Sequence, residues 1–265
     1  MARLDAELIA RGIAGSRARA QELIKAGQIK LDGIICIKSS KQVNENSVIT
    51  MEGESLAYVG RGGLKLEKAV ELCDIDLKEK VCMDIGASTG GFTDCMLQRG
   101  AVKVYAVDVG HGQLADKLRK DSRVVNLEGT DIRNLGSETV QEPIDFISTD
   151  VSFISLSMIL PHMANFLKKD GIAAVRIKPQ FEAGRENIGK NGLVKSRKVH
   201  MNVLVKVTEE FSRNGFSLKM ICPSPVKGGS GNIEYLAVIL NADDSDNMST
   251  TVDFKSVVEE AFSQK

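Results

Sequence analysis

Residues Asp84 to Asp94 read DIGASTGGFTD, and the apolar VCM at 81–83 runs straight into them. An apolar run, a glycine-rich turn and a helix start, in that order, describe a strand of a parallel sheet handing over to a helix. Such a junction turns backbone N–H groups and the positive helix end toward whatever lies beyond the strand. The glycines, Gly86, Gly90 and Gly91, fall as G-x-x-x-G-G and not as the G-x-G-x-x-G of dinucleotide folds. Gly86 lets the chain leave the strand sharply; Gly90 and Gly91 are expected to let a ligand or the sheet come close where a Cβ would collide.

From Leu64 onward strands alternate with helices, the pattern of a doubly wound α/β sheet. Strands are expected at 81–85, 102–107, 123–127, 144–149, 172–177, 217–222 and 234–240, seven in all. Helices are expected at 91–99, 113–120, around 156–169 with Pro161 starting or kinking the segment, and at 197–213, where Val199, Val203, Val207 and Phe211 recur every fourth residue. The last two strands have no helix between them and should pair antiparallel.

Asp84 places a negative charge beside the turn. A pyrophosphate would be repelled there, whereas the cationic amino-acid end of S-adenosylmethionine would tolerate it. Asp108 closes the strand VKVYAVD, 22 residues past Gly86, where a carboxylate can take both hydroxyls of a ribose. Asp131, after the third strand, can accept from an adenine amino group. The cofactor set is therefore Asp84, Gly86, Ala87, Ser88, Thr89, Gly90, Gly91, Phe92, Asp108, Asp131 and Asp150, and the cofactor S-adenosylmethionine.

Ligands of a parallel sheet lie outside the carboxyl ends of its strands. IDFISTD ends there at Asp150 and IAAVRIK at Lys178; Lys65 precedes the sheet in GRGGLKLEKA, and Glu234 opens the last strand in GGSGNIEYLAVIL. An ammonium at the end of a buried strand is not there for packing. Two lysines and two carboxylates suit methylation of a poor nucleophile such as a ribose 2′-hydroxyl, which must lose its proton as it attacks. Lysine titrates ordinarily near 10.4, so a second ammonium and desolvation must lower it. Lys178 would be the base or orient the hydroxyl, Lys65 would lower its pKa or hold the target, and Asp150 and Glu234 would position them. The same four side chains could also form a buried ion-pair network with no part in chemistry.

Other acceptors fit less well. Amino methylation calls for an Asn/Asp-Pro-Pro-aromatic loop, and Asp150-Val151-Ser152-Phe153 lacks the prolines. Cys222, before Pro223, is poorly placed as a nucleophile for C5 methylation. His111, His162 and His200 have neither metal nor triad spacing, and no metal site is expected.

Ahead of the sheet, residues 3–11 read as a helix, Ser16 caps a second carrying Ala20, Leu23 and Ile24, and Gly27 ends it. QIKLDGIICIK is a hairpin about Asp32-Gly33, with another short strand at 48–51. Residues 1–41 hold eight Lys/Arg against four Asp/Glu, and 242–265 hold two against six. Arg3, Arg11, Arg17, Arg19, Lys25, Lys30 and Lys38 could lay a basic face on phosphates. The domains are expected at 1–55 and 64–241, with a linker at 56–63 and a C-terminal tail at 242–265.

The 265 residues are 43% hydrophobic and 26% charged with net charge zero, which is ordinary for a globular protein. Five cysteines, odd in number and without a C-x-x-C pair, argue against a disulfide framework and a zinc site. MARLDAELIA meets charges too early for a signal peptide, so a cytoplasmic location is expected.

RLDAELIARG followed by SRARAQELIKAGQIKLDG resembles the small RNA-binding module of ribosomal protein S4 type. Behind it, Lys65, Asp150, Lys178 and Glu234 match in order the Lys-Asp-Lys-Glu tetrad of FtsJ-type ribose 2′-O-methyltransferases. DIGASTGGFTD, DVSFISL, IKPQFEAG and SGNIEYL together resemble the hemolysin A (TlyA) family of bacterial ribosomal RNA methyltransferases over residues 1 to 240. Where broader FtsJ-type enzymes have Ala-Pro in the turn, Ser88-Thr89 stands here, as in this subgroup. The resemblance implies an α/β, seven-stranded Rossmann-like class I methyltransferase sheet behind a small α+β RNA-binding domain. It implies methylation of a cytidine 2′-hydroxyl in ribosomal RNA, with ribosomal subunits as partners and neither DNA nor membrane. Two other functions are set against it, a pore-forming cytolysin and a non-catalytic RNA-binding assembly factor. The first lacks an apolar run of the roughly 18 residues that span a bilayer; the second would survive loss of Lys178.

Overall fold

The computed structural model describes residues 2–14, 17–25, 27–51, 57–60, 62–228, 231–241 and 252–264. The chain forms two compact units, Met1–Ala57 and Tyr58–Lys265.

The smaller unit runs β1 (Ala2–Arg3), α1 (Leu4–Ala10), α2 (Arg17–Lys25), β2 (Ile29–Leu31), β3 (Ile34–Ile35), β4 (Gln42–Val43) and β5 (Ile49–Met51). Asp32 and Gly33 make the β2–β3 turn with φ of +52° and +84°, the paired positive values that an Asp-Gly hairpin supplies. Strands pair in the order β3-β2-β5, and β1 pairs with β4. That second pairing was not anticipated, because two-residue strands carry no period. Leu4, Leu8, Ala20, Leu23, Ile24, Ile29 and Val43 close the core. Gly27 ends α2 at φ +70°; the Ser16 cap lies outside the described residues.

The larger unit runs α3 (Gly62–Leu72), β6 (Val81–Ile85), α4 (Gly91–Gln98), β7 (Lys103–Asp108), α5 (Asp116–Arg119), β8 (Val124–Glu128), β9 (Ile144–Thr149), α6 (Leu160–Phe166), β10 (Leu167–Ile177), α7 (Pro179–Glu182), α8 (Arg197–Arg213), β11 (Phe216–Pro223), β12 (Tyr235–Asn241) and α9 (Phe254–Ser263). Its seven strands lie in the order β11-β12-β10-β9-β6-β7-β8. β12 is antiparallel to both neighbours, and the β10–β9, β9–β6, β6–β7 and β7–β8 pairs are parallel. Strand order reverses between β6 and β9, so the ligand crevice opens beyond their carboxyl ends.

Alternation assigns the faces. Met83, Ile85, Tyr105, Val107, Ile147 and Val175 share one core with α8, while Cys82, Val104, Ala106, Phe146, Ala174 and Leu236 share the other with α3 and α4. Counting by twos, Asp150 follows Phe146 and Ser148, Arg176 and Lys178 follow Ala174, and Glu234 precedes Leu236. All four therefore belong to the α3–α4 face.

Several expectations need correction. Lys65 lies on α3, a helix not anticipated, which begins at Gly62 inside the expected linker. The 156–169 segment splits into a 3₁₀ turn at Leu156–Met158 and α6, with Pro161 in the first turn of α6. β10 starts five residues before 172, with a register irregularity between Leu167 and Ile172. The expected tail contains α9, capped by Asp253 and packed on α8 and β11 through buried Val258 and Ala261.

Candidate active site

Lys65, Asp150, Lys178 and Glu234 come together in one charged cluster. Lys178 Nζ lies 2.7 Å from Asp150 Oδ1 and donates to Ser152 Oγ at 2.7 Å, and Lys65 Nζ is 4.0 Å from Glu234 Oε2. A fifth charged residue, Arg176, lies between the pairs; one guanidinium nitrogen donates to Asp150 Oδ2 and the other pairs with Glu234 Oε2. Gln180 Nε2 donates to Glu234 Oε1 at 3.0 Å. Burial alone would raise the Asp150 pKa, but Arg176, Lys178 and Lys65 outweigh it and hold Asp150 below the usual carboxylate range. Burial pushes the Lys178 ammonium down; Asp150 opposes that shift and Arg176 reinforces it.

The loop after Asp150 is tied to α7. Glu182 is buried and accepts from Ser155 Oγ at 2.7 Å and from Leu156 N at 2.8 Å, and burial raises its pKa. Between these anchors Phe153 stands 91% exposed at φ +65°. Its ring lies 5.0 Å from that of Phe181, over which Lys178 Nζ sits at 5.9 Å. An exposed aromatic held in left-handed backbone, joined to Lys178 through the Phe181 ring, is an open stacking surface.

The turn is built differently from its sequence expectation in three respects. Asp84 is fully buried. Its oxygens accept from Thr93 N and Oγ1 at 2.9 and 2.7 Å and from Ser148 Oγ at 3.0 Å, so it fastens α4 to the sheet from behind instead of meeting a ligand. Burial pushes its carboxyl up to about 7 against those hydrogen bonds. Phe92 turns its ring into the core beneath α3. At Gly90 the place of a Cβ is filled by Leu114 and Leu118, and at Gly91 by the backbone of Gly62 and Gly63, so both glycines serve internal packing.

Of the rest of the turn, Ser88 is exposed, Gly86 and Thr89 are half-buried and Ala87 is buried. Asp108 accepts from Ser88 N and Gly110 N, each at 2.7 Å, which fixes its carboxylate at the end of β7 with lone pairs to spare for vicinal hydroxyls. Asp131 is clasped by Arg133, which lowers its pKa. Glu128, unremarked in the sequence, accepts from Gln113 N at 2.5 Å and Leu114 N at 3.0 Å and shapes the loop beside Asp108.

In the smaller unit Arg3 and Arg17 converge on buried Asp5 at 2.9 and 3.2 Å, with much of each side chain still exposed. Arg11 is spent internally on Glu7 and the carbonyls of Ser47 and Asn44, a correction to its expected phosphate role. Lys25 and Lys38 are exposed and Lys30 is half-buried; the Arg19 side chain lies outside the described residues.

A sheet in this order, with a glycine-rich turn at its switch point and an acidic residue closing the next strand, defines the class of S-adenosylmethionine-dependent methyltransferases. The fold recurs in such an enzyme from Mesorhizobium loti, with TM-score 0.51, 15% identity, and 68% of this chain and all of that one covered. Within the class, residues 58–239 match the FtsJ-like methyltransferase model, and the chain belongs to that family; residues 2–49 match the S4 domain. The TlyA protein of Mycobacterium tuberculosis, named a 16S/23S rRNA (cytidine-2′-O)-methyltransferase, is 41% identical over 88% of both chains. Hemolysin A of Brachyspira hyodysenteriae is 40% identical over 89% of this chain and 98% of its own. The solved structure of a candidate hemolysin from Streptococcus thermophilus superposes with TM-score 0.79 at 40% identity, over 99% of this chain and 96% of that one. No helix among the described residues is long and apolar enough to cross a membrane.

Proposed function

We propose that this chain methylates a ribose 2′-hydroxyl, that of a cytidine, in ribosomal RNA presented within ribosomal subunits in the cytoplasm. The observation that carries the proposal is the lysine–carboxylate cluster, with Lys178 buried just past the carboxyl end of β10, paired with Asp150 and pushed by burial toward its neutral form. When bound, S-adenosylmethionine supplies an electrophilic methyl group. The turn at Gly86–Thr89 and Asp108 would hold it, and the chemistry of Asp108 suits it: a carboxylate fixed by Ser88 N and Gly110 N keeps lone pairs for the two hydroxyls of a ribose.

At the acceptor side, neutral Lys178 Nζ takes the 2′-hydroxyl proton as the oxygen attacks, while Asp150 and Ser152 hold Nζ at one place. Lys65, paired to Glu234, supplies positive charge at the rim of the same cluster. Phe153 stacks the target base outside the stem. Lys25, Lys38 and the exposed parts of Arg3 and Arg17 meet phosphates, so binding weakens as salt rises.

The test is transfer of labelled methyl to naked ribosomal RNA and to both subunits, with nuclease mapping of the product. Wild type should leave one nuclease-resistant 2′-O-methyl linkage, and Lys178→Ala should slow transfer by about 10²–10⁴-fold. Absence of methylation on every substrate would sink the proposal. Methylation untouched by Lys178→Ala would remove Lys178 as the base.

A further inference from the structure

Arg176 is not one of the four residues that sequence order singles out, yet it is the cation most deeply embedded in the cluster. Only 5% of it is exposed, and it reaches Asp150 and Glu234 at once. Its Nε, also buried, has no hydrogen-bond partner, so the guanidinium is placed for its charge and its two terminal donors and not for a complete set of bonds. Arg176 lies on β10 and Lys178 just past its end, two residues on, and both pair with Asp150, so their cationic groups are near neighbours on a common carboxylate.

From this geometry we infer that Arg176 is a positioning residue that keeps Lys178 available as a neutral amine by neutralising the two carboxylates around it. The inference rests on the proposal that Lys178 is the base. The groups facing Lys178 are Asp150 and Ser152 beyond β9, Arg176 on β10 and the Phe181 ring on α7; Glu234, leading into β12, and Lys65, on α3, complete the cluster. Without Arg176 these comprise two carboxylates against Lys65 alone, a net negative shell that would stabilise the ammonium. With it the shell is balanced, and desolvation decides in favour of the neutral amine. A guanidinium suits the task because it stays charged at every pH at which the enzyme works and spans two carboxylates with a rigid fork. Burial and the Arg176 charge both act in this direction on Lys178, and Asp150 acts against them.

The experiment reads Lys178 directly. Acylation of Lys178 by an amine-reactive reagent is followed by peptide mass spectrometry from pH 6 to 11, without RNA, in wild type, Arg176→Gln and Arg176→Lys. In parallel the pH dependence of kcat/KM for methyl transfer is measured. Wild-type Lys178 should titrate below the ordinary lysine range. Arg176→Gln, which keeps donors but loses the charge, should move both curves up by roughly one pH unit or more, about a tenfold loss at neutral pH that recovers on raising the pH. Arg176→Lys, which keeps the charge but not the fork, should shift both curves by less than Arg176→Gln does.

A wild-type Lys178 that titrates at or above the ordinary lysine range would overturn the inference, whether or not Arg176→Gln folds. So would an Arg176→Gln protein with an unmoved acylation curve and activity lost equally at every pH. If RNA methylation failed in wild type while the acylation curves behaved as described, the proposed function would fall and the electrostatic role would stand.

Discussion

Gly86→Ala tests whether the switch point is as tightly closed as it looks. Gly86 sits at φ +83°, and a Cβ there would stand 2.8 Å from the Asp150 carbonyl oxygen and 3.2 Å from Val151 N. Left-handed backbone costs an L-residue about 1–2 kcal/mol. Bringing the carbonyl contact out to about 3.2 Å needs a shift of roughly 0.4 Å between two strand ends in a close-packed interior, and strain of this kind costs about another 1–3 kcal/mol. The strand ends have little freedom, because Gly86 N donates to Val107 O at 2.8 Å and Asp150 N to Ile85 O at 2.9 Å. Gly215→Ala is the control, since Gly215 has φ +77° but nothing within 4 Å of the added carbon. In urea titrations the Gly215 variant should lose only the backbone part, about 1–2 kcal/mol, and the Gly86 variant about 2–5 kcal/mol. Because the shift falls on Asp150, which holds Lys178, kcat should also drop by about 10- to 100-fold in the fraction that remains folded. Equal destabilisation of the two variants, or full turnover in Gly86→Ala, would refute the reasoning.

Phe153→Ala removes a ring that is almost wholly in solvent, so urea stability should stay within about 0.5 kcal/mol while kcat/KM for RNA falls about tenfold or more and cofactor affinity is unchanged in calorimetry. His200 donates from Nε2 to Val194 O at 2.9 Å and accepts on Nδ1 from Tyr235 OH at 2.8 Å, and burial lowers its pKa from 6.5. A depressed folded pKa means that this contribution is present above about pH 6.5 and lost as pH falls below it, so the urea midpoint should decline from pH 7.5 to 5.5 more steeply in wild type than in His200→Gln. Asp84 acts in the opposite sense, its raised pKa removing stability as pH rises through about 7, and Asp84→Asn should flatten that limb. Val258→Asp places a carboxylate in the α9 contact and should cost about 3 kcal/mol or more, read as a lower melting temperature and new proteolysis near the C-terminus.

The seven strands of the larger unit were legible because each is a short apolar run bounded by turn residues. The four tetrad residues were legible because each stands next to a strand end or a glycine cluster. Arg176 was open to the same treatment: counting back two from Lys178 puts it on the cleft face, but an arginine inside VRIK reads as a strand residue until its partners are known. Glu182 and Phe153 carried no pattern, since their roles depend on a loop meeting α7 across the fold. Asp84 was misjudged for a related reason. Its distance from the glycines suggested a ligand contact, and only the side chains of Thr93 and Ser148 reveal which way the carboxylate points. In α9, Val257, Val258, Ala261 and Phe262 have helical spacing, but the acidic stretch before them drew the segment into a tail.

The placement of β12 has a consequence for when the enzyme becomes active. Glu234 enters the cleft from the start of a strand that slots between β10 and β11, both made earlier, and it meets Lys65 from the other end of the unit. A nascent chain can therefore form β6 to β10 and the cofactor-facing turn before it can complete the acceptor side. On the proposed role of Glu234, catalytic competence would be withheld until β12 is in place, so an incomplete polypeptide would hold a methyl donor with nothing assembled to spend it on.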